Sequence, residues 1–203
     1  MTDRPAAKTD AREARGAETR QRIIEAMWRV TADNGLSALT VRDVAKQAGI
    51  SHAMVHYHFE NKDELILAAV EYARHYWIHP LEDIVYGQGT PEEKLERVIV
   101  WMAEPATTDV MRVHRQLLAQ SEWNERLQAS MAGEYARWRE TFVELFRRLK
   151  ESGTLDADVD ERLFGEGFAT LSDHLVGKQR LDPSLDTEAI MREMVRPVLR
   201  PGP

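Results

Sequence analysis

The chain contains no cysteine, which excludes disulfides, thiolate metal sites and cysteine nucleophiles. No apolar run approaches the ~18 residues of a membrane span. The opening MTDRPAAKTDAREARG lacks the apolar core of a secretory signal, so no membrane partner and a cytoplasmic location are expected. Strand signals are weak throughout, and no repeat with a period of about 20–50 residues recurs. There is no glycine-rich phosphate loop, no nucleophile elbow around a serine, and no carboxylate–histidine group that spacing would force together. Catalysis and a bound cofactor are therefore not expected. Histidines do recur at i, i+4 in His52/His56 and His75/His79, the separation of two zinc ligands. HAMVH lacks the glutamate of the zinc-hydrolase motif, however, and neither pair has a third ligand close in sequence, so no metal is expected either.

What is present is an ordinary supply of core: 43% of the 203 residues are hydrophobic, enough for one large domain or two small ones. The net charge is −7, which by itself argues against a polyanionic partner. Its distribution changes that reading. Residues 1–62 hold 10 Lys/Arg and 8 Asp/Glu, a net of +2, whereas residues 63–203 hold 17 and 26, a net of −9. A weakly positive head on an acidic body is compatible with docking nucleic acid end-on.

Periodicity along the chain is helical. Residues 1–17 mix Arg, Ala, Asp and Glu without apolar rhythm and read as a flexible arm. A first helix runs from Glu18 toward Gly35 on Ile23, Ile24, Met27, Trp28 and Thr31. The stretch Thr40–Lys62, TVRDVAKQAGISHAMVHYHFENK, reads as two short helices joined by a glycine turn. Thr40 caps the first, with Asp43 as capping-box partner and Val41, Val44 and Ala45 as the buried face. Gly49 ends it where the chain must adopt positive φ, and Ser51 caps the second, whose apolar side carries Val55 and Phe59. A fourth helix opens at Asn61 with Glu64 and carries Leu65, Ile66, Ala69, Val70 and Ala73 toward His79, where Pro80 limits it.

Further on, Thr90 and Glu93 form a capping box with Pro91 at the first helical position, and Leu95, Val98, Ile99 and Met102 make the stripe until Pro105 breaks it. A sixth helix spans about Asp109 to Gln120. A long seventh carries Trp123, Leu127, Met131, Tyr135, Trp138, Phe142, Leu145 and Leu149 before Gly153. An eighth spans about Asp160 to Lys178, and a ninth follows Asp186. The expected fold is all-α with about nine helices. It comprises the arm, a helix-turn-helix head over 18–62 and a larger helical bundle over 63–203.

A head of this pattern, with TVRDVA, AGIS and HFENKDEL in that order, resembles the TetR family of bacterial one-component transcription regulators over about residues 20–66. The phrases LKESGTLDADVDERL and LDPSLDTEAIMREMVRPVL look like the ligand domain of the branch that includes choline-responsive, BetI-type regulators. The resemblance implies a homodimer that binds double-stranded operator DNA and responds to a small-molecule inducer, most members being repressors released from the operator by ligand. Thr40, Ser51, His58 and Lys62 match positions that meet phosphates, His52, Ala53, Met54 and Tyr57 lie where base edges are read, and Arg42 and His56 complete the DNA-facing set. One departure is that His56 stands where the family commonly has tyrosine, with Tyr57 following. No Arg or Lys lies between Ser51 and Glu60, so base discrimination must lean on His52, Tyr57 and apolar contact with thymine methyls through Ala53 and Met54.

In the body, Trp77, Trp101, Trp123 and Trp138 with Tyr135, Phe142 and Phe168 are candidates to line a cavity for an aromatic, apolar or quaternary-ammonium ligand, with ordinary core as the alternative. Leu118 joins them on the sixth helix, and so does His114, whose imidazole must find a hydrogen-bond partner if buried. Phe164, Leu171, Leu175, Met191, Met194, Val195 and Val198 exceed what one protomer is expected to cover, which suggests a four-helix dimer interface in which Gly165 and Gly167 permit close approach. The competing reading is a helical carrier or interaction protein whose helix-turn-helix is only a packing motif. That reading predicts no salt-sensitive duplex binding.

Overall fold

The computed structural model describes residues 6–179 and 181–200, with side chains defined for 13–104, 112–179 and 181–200. Among them are nine α-helices: α1 Ala6–Asn34, α2 Val41–Ala48, α3 His52–His58, α4 Lys62–Tyr86, α5 Pro91–Ala103, α6 Pro105–Ser121, α7 Glu125–Glu151, α8 Glu161–Lys178 and α9 Thr187–Val195. A 3-10 turn over Arg196–Val198 follows. The all-helical expectation and the helix count agree with this architecture.

Three element boundaries differ from the expectation. Helix α1 begins at Ala6, inside the stretch read as an arm. Ala, Arg, Lys and Glu are strong helix formers, and an already nucleated helix extends through them without needing an apolar face. Pro80 does not end α4, which continues to Tyr86. An interior proline costs about 3 kcal/mol, and this helix offsets it by burying Leu81 and Val85 completely beyond the proline. Pro105 opens α6, four residues before the expected start, because an N-terminal proline lacks a hydrogen that the first turn leaves unused anyway.

The chain divides by contacts between Tyr72 and Ala73, ten residues beyond the boundary read from sequence. In the first unit, Ile23, Ile24 and Met27 of α1 are buried, as are Val44 and Ala45 of α2, Val55 of α3 and Phe59 after it. Leu65, Ile66, Ala69 and Val70 from the start of α4 are buried as well, and this is why the unit extends past Lys62.

In the second unit α7 packs against α5, α6 and α8, while α9 packs against α5 and α8. Gly165 on α8 marks where α7 comes closest: a Cβ there would lie 2.8 Å from Val143 Cα. That glycine therefore serves packing within one protomer, and Gly167 has open space around it. The part of α4 in this unit is tied to α7 by three arginines. Arg74 holds Glu134 with both its Nε contacts at 3.1 Å, Arg137 holds Glu82 through Nε at 2.6 Å and Nη2 at 3.0 Å, and Arg148 Nη1 donates to the Val85 carbonyl at 2.9 Å.

Candidate functional site

The turn between α2 and α3 is built by local chemistry. The Thr40 hydroxyl accepts from the Asp43 amide at 3.1 Å and fixes the start of α2. Gly49 adopts φ +66, and its N–H and that of Ile50 close onto the Lys46 and Ala45 carbonyls. The Ser51 hydroxyl then accepts from Met54 N at 3.2 Å to start α3.

Helix α3 is anchored at two points, Val55 at 1% exposure and Phe59 just after it at 4%. Arg20 stacks its guanidinium 5.1 Å from the Phe59 ring centre, and Arg22 donates to the Ala48 carbonyl at 2.7 Å, so α1 clamps both ends of the motif. The remaining residues of the helix up to Tyr57 face outward. Ser51, His52, Ala53, Met54, His56 and Tyr57 are exposed, Tyr57 at 74%. Thr40 and Arg42 are exposed beside them, and Lys62 and His58 are half-buried. Burial and the Arg20 charge push the His58 pKa below its ordinary value. His52 and His56 stack edge to face with ring centres 4.5 Å apart. His75 and His79, on α4, share a hydrogen bond between their Nδ1 atoms at 3.2 Å.

In the second unit the structure gathers some of the aromatic candidates and disperses others. Trp77 on α4, Trp101 on α5 and Trp138 on α7 form a triangle with ring centres 5.7–6.2 Å apart. From Trp138 the contacts continue to Phe142 at 5.0 Å, Phe168 at 5.7 Å from Phe142, Phe146 at 5.4 Å from Phe168, and Phe164 at 4.9 Å from Phe146. Phe146 was not singled out from sequence, although it falls on the same helical stripe as Phe142 and Leu149.

Leu118, Trp123 and Tyr135 do not join this cluster. They are 52%, 83% and 43% exposed, and the Tyr135 hydroxyl contacts Thr170 Oγ1 on the surface at 3.0 Å. Leu118 and Tyr135 stand on α6 and α7 at angles that neighbouring helices leave open, and Trp123, expected on the seventh helix, lies instead in the turn before α7 begins at Glu125.

His114 is partly buried on α6, where desolvation, aided by the Arg115 charge, lowers its pKa to about 4. Asp173 on α8 is partly buried as well, and desolvation raises its pKa to about 6 against the opposing pull of Arg115 and His174. Asp173 and Arg115 carried no sequence signal, since their meeting depends on how α6 packs on α8.

The expected interface residues also separate. Met191 and Val195 are buried in their own protomer, at 0% and 4%, because α9 turns that face onto α5. Leu171 is 55% exposed, and Phe164, Leu175, Met194 and Val198 are half-buried.

A short helix with an outward polar and aromatic face, held by a glycine turn in a small helical unit and followed in sequence by a larger helical body, defines a helix-turn-helix transcription regulator. Known proteins place it more closely. Residues 23–69 match the family of bacterial regulatory proteins, tetR family, and residues 91–200 match the family described as BetI-type transcriptional repressor, C-terminal. The chain belongs to the TetR family, with a C-terminal domain of the BetI type, a family of non-enzymatic DNA-binding regulators.

The HTH-type transcriptional regulator PksA of Bacillus subtilis is 27% identical over 168 residues, 81% of this chain and 80% of that protein. BetI of Brucella canis is 31% identical over 80 residues, 39% of this chain and 40% of that protein. Among solved structures, a choline-bound protein from Saccharomonospora viridis, described as a transcriptional regulator, superposes with a TM-score of 0.80 at 23% identity, covering 91% of this chain and all of that one. No helix among the described residues is long and apolar enough to cross a membrane.

Proposed function

We propose that this regulator is a ligand-responsive repressor that binds its operator as a two-fold homodimer and releases it when a small molecule enters the helical body. The observation that carries the DNA half of this reading is α3, which spends only Val55 on its own core and leaves His52, Ala53, Met54, His56 and Tyr57 outside. In this reading Thr40, Arg42, Ser51, His58 and Lys62 fix register on phosphates, and the α3 face reads bases. One such helix makes few base contacts, so two must act together on major grooves about 34–36 Å apart. The dimer forms through the outward residues of α8 and α9, namely Leu171, Leu175 and Met194 with Phe164 and Val198 at the margin.

Release follows from the connection of α4 to both units. Its first turns close the head core, and its later turns are tied to α7 by Arg74, Arg137 and Arg148. Trp77 and Trp138 meet across the same two helices. A ligand that parts these rings moves α4 against α7 and changes how the two α3 helices are presented. A hundredfold preference of ligand for the released state, about 2.7 kcal/mol per site, totals about 5.5 kcal/mol over two sites, which carries occupancy from nearly full to nearly empty. The choline bound by the Saccharomonospora viridis protein supports a small-molecule role for this fold.

Selecting bound duplexes from a random pool tests the first half: a two-fold symmetric consensus with salt-dependent affinity is expected, and no enriched sequence at low salt overturns it. Adding small molecules to that complex tests the second half, with release as the expected result.

A further inference from the structure

Trp77 and Trp138 are each more than nine-tenths buried, and neither indole Nε1–H has a hydrogen-bond acceptor among the described residues. A buried donor left unpaired is disfavoured, and a tryptophan in a core ordinarily finds a partner for its N–H. Here two such donors occur on rings in mutual contact, 5.7 Å between centres, at the junction of α4 and α7 that the release mechanism uses. A phenylalanine at either position would still set an aromatic ring in the core without an orphaned donor.

The rings are also poorly arranged to cage a cation. Trp77 meets Trp138 at 85° and Trp101 at 77°, and Trp138 meets Phe142 at 63°. An edge set into a face directs the positive rim of one ring at the negative surface of the next. These aromatics therefore already spend on one another the faces that a quaternary ammonium needs. Trp101, which is only half-buried, is the open side of the cluster.

Resting on the ligand-responsive reading above, we propose that the effector is an apolar molecule carrying a hydrogen-bond acceptor, a carbonyl or carboxylate oxygen, which takes the Nε1–H groups of Trp77 and Trp138 while its apolar part lies along Phe142 and Phe168. The acceptor supplies what the apoprotein lacks, so binding selects the arrangement in which the α4 and α7 rings turn toward the ligand.

The test uses the purified full chain and three probes with closely matched straight tails of nine or ten carbons, below their micellar concentrations: decanoate, nonyl methyl ketone and decyltrimethylammonium. Calorimetry reads binding, and fluorescence anisotropy of a labelled operator reads release in parallel. Binding and release by the ketone, decanoate or both, and not by the cation, is the expected result, and which of the two acts separates a neutral carbonyl from a carboxylate. The variants Trp77→Phe and Trp138→Phe keep an aromatic six-membered ring and delete the donor. Each is expected to weaken the active probe about tenfold, the worth of one hydrogen bond, and to lower the ligand-free melting midpoint through the cavity the smaller ring leaves.

Unaltered affinity in both variants overturns the proposal, as does equal weakening of all three probes. Binding and release by the cation alone overturns the acceptor and leaves the ligand-responsive reading standing. If none of the three binds, the acceptor is overturned, and a cell extract that still releases the operator preserves the wider reading.

Discussion

The pair His114 and Asp173 makes a prediction whose sign can be worked through. His114 protonates near 6.5 when unfolded and only near 4 when folded. Its contribution to stability is therefore whole above pH 6.5 and is lost as pH falls toward 4. Asp173 behaves oppositely. The unfolded chain releases its proton near 3.8 and the folded chain holds it to about 6, so its contribution is whole below pH 3.8 and is lost as pH rises toward 6. At 1.36 kcal/mol per pH unit each shift corresponds to about 3 kcal/mol, and the two slopes nearly cancel across one window.

Asp173→Asn removes the falling slope, so its stability relative to the parent should rise by about 3 kcal/mol between pH 4 and 6.5. His114→Gln removes the rising slope, and its relative stability should fall by a similar amount over the same interval. Urea unfolding followed by circular dichroism, at half-unit steps of pH on parent and variants, measures this directly. The differences between curves are what count, because Glu92, Glu96 and Glu144, all held below the ordinary carboxylate range by hydrogen bonds, add a common acid-side loss to every protein. Three parallel curves would refute the reasoning and show that neither α6 nor α8 withholds its group from water.

Other outcomes follow from the same geometry. Lys62→Ala should weaken operator binding about equally for all sequences and lower the salt slope by about 1, and an unchanged slope in anisotropy titrations removes Lys62 from the phosphate contacts. Tyr57→Ala or His52→Ala should instead change which duplex is selected, at about 1–3 kcal/mol per altered base pair; a uniform loss across sequences reassigns them to the backbone. Aspartate at Leu171 or Met194 should give monomers by sedimentation, and a persistent dimer places the interface on another face. Gly165→Ala should destabilise by about 1–3 kcal/mol because its Cβ meets the Val143 backbone, whereas Gly167→Ala, with open space, should gain up to about 1 kcal/mol of helix propensity. Unfolding titrations showing the same sign for both would disprove the close approach of α7 and α8.

The parts of this molecule legible from sequence are those set by interactions within a few residues. The Thr90–Glu93 capping box closes in both directions at 3.3 and 2.9 Å, and Gly49 takes the positive φ that the AGIS turn demands. Val55 and Phe59 recur at a spacing that leaves the rest of α3 outward whatever the head packs against. Where a local rule competes with long-range packing, the rule fails. Pro80 should end a helix, but the burial of Leu81 and Val85 and the Arg137–Glu82 pair reward continuing.

The body shows a different limit. Periodicity marks the apolar side of a helix and is silent about what covers it. Trp138 and Tyr135 carry the same signal on α7, yet Trp138 is buried against Trp77 of α4 and Trp101 of α5 while Tyr135 stays 43% exposed. Met191 and Leu171 likewise read as equivalent, yet one lies in the protomer's own core and the other in solvent. An apolar stripe is thus one observable with three possible partners, the protomer itself, a ligand or a second copy of the chain. Only a property that apolar packing does not need distinguishes a ligand among them, and the indole donors of Trp77 and Trp138, without an acceptor among the described residues, are such a property.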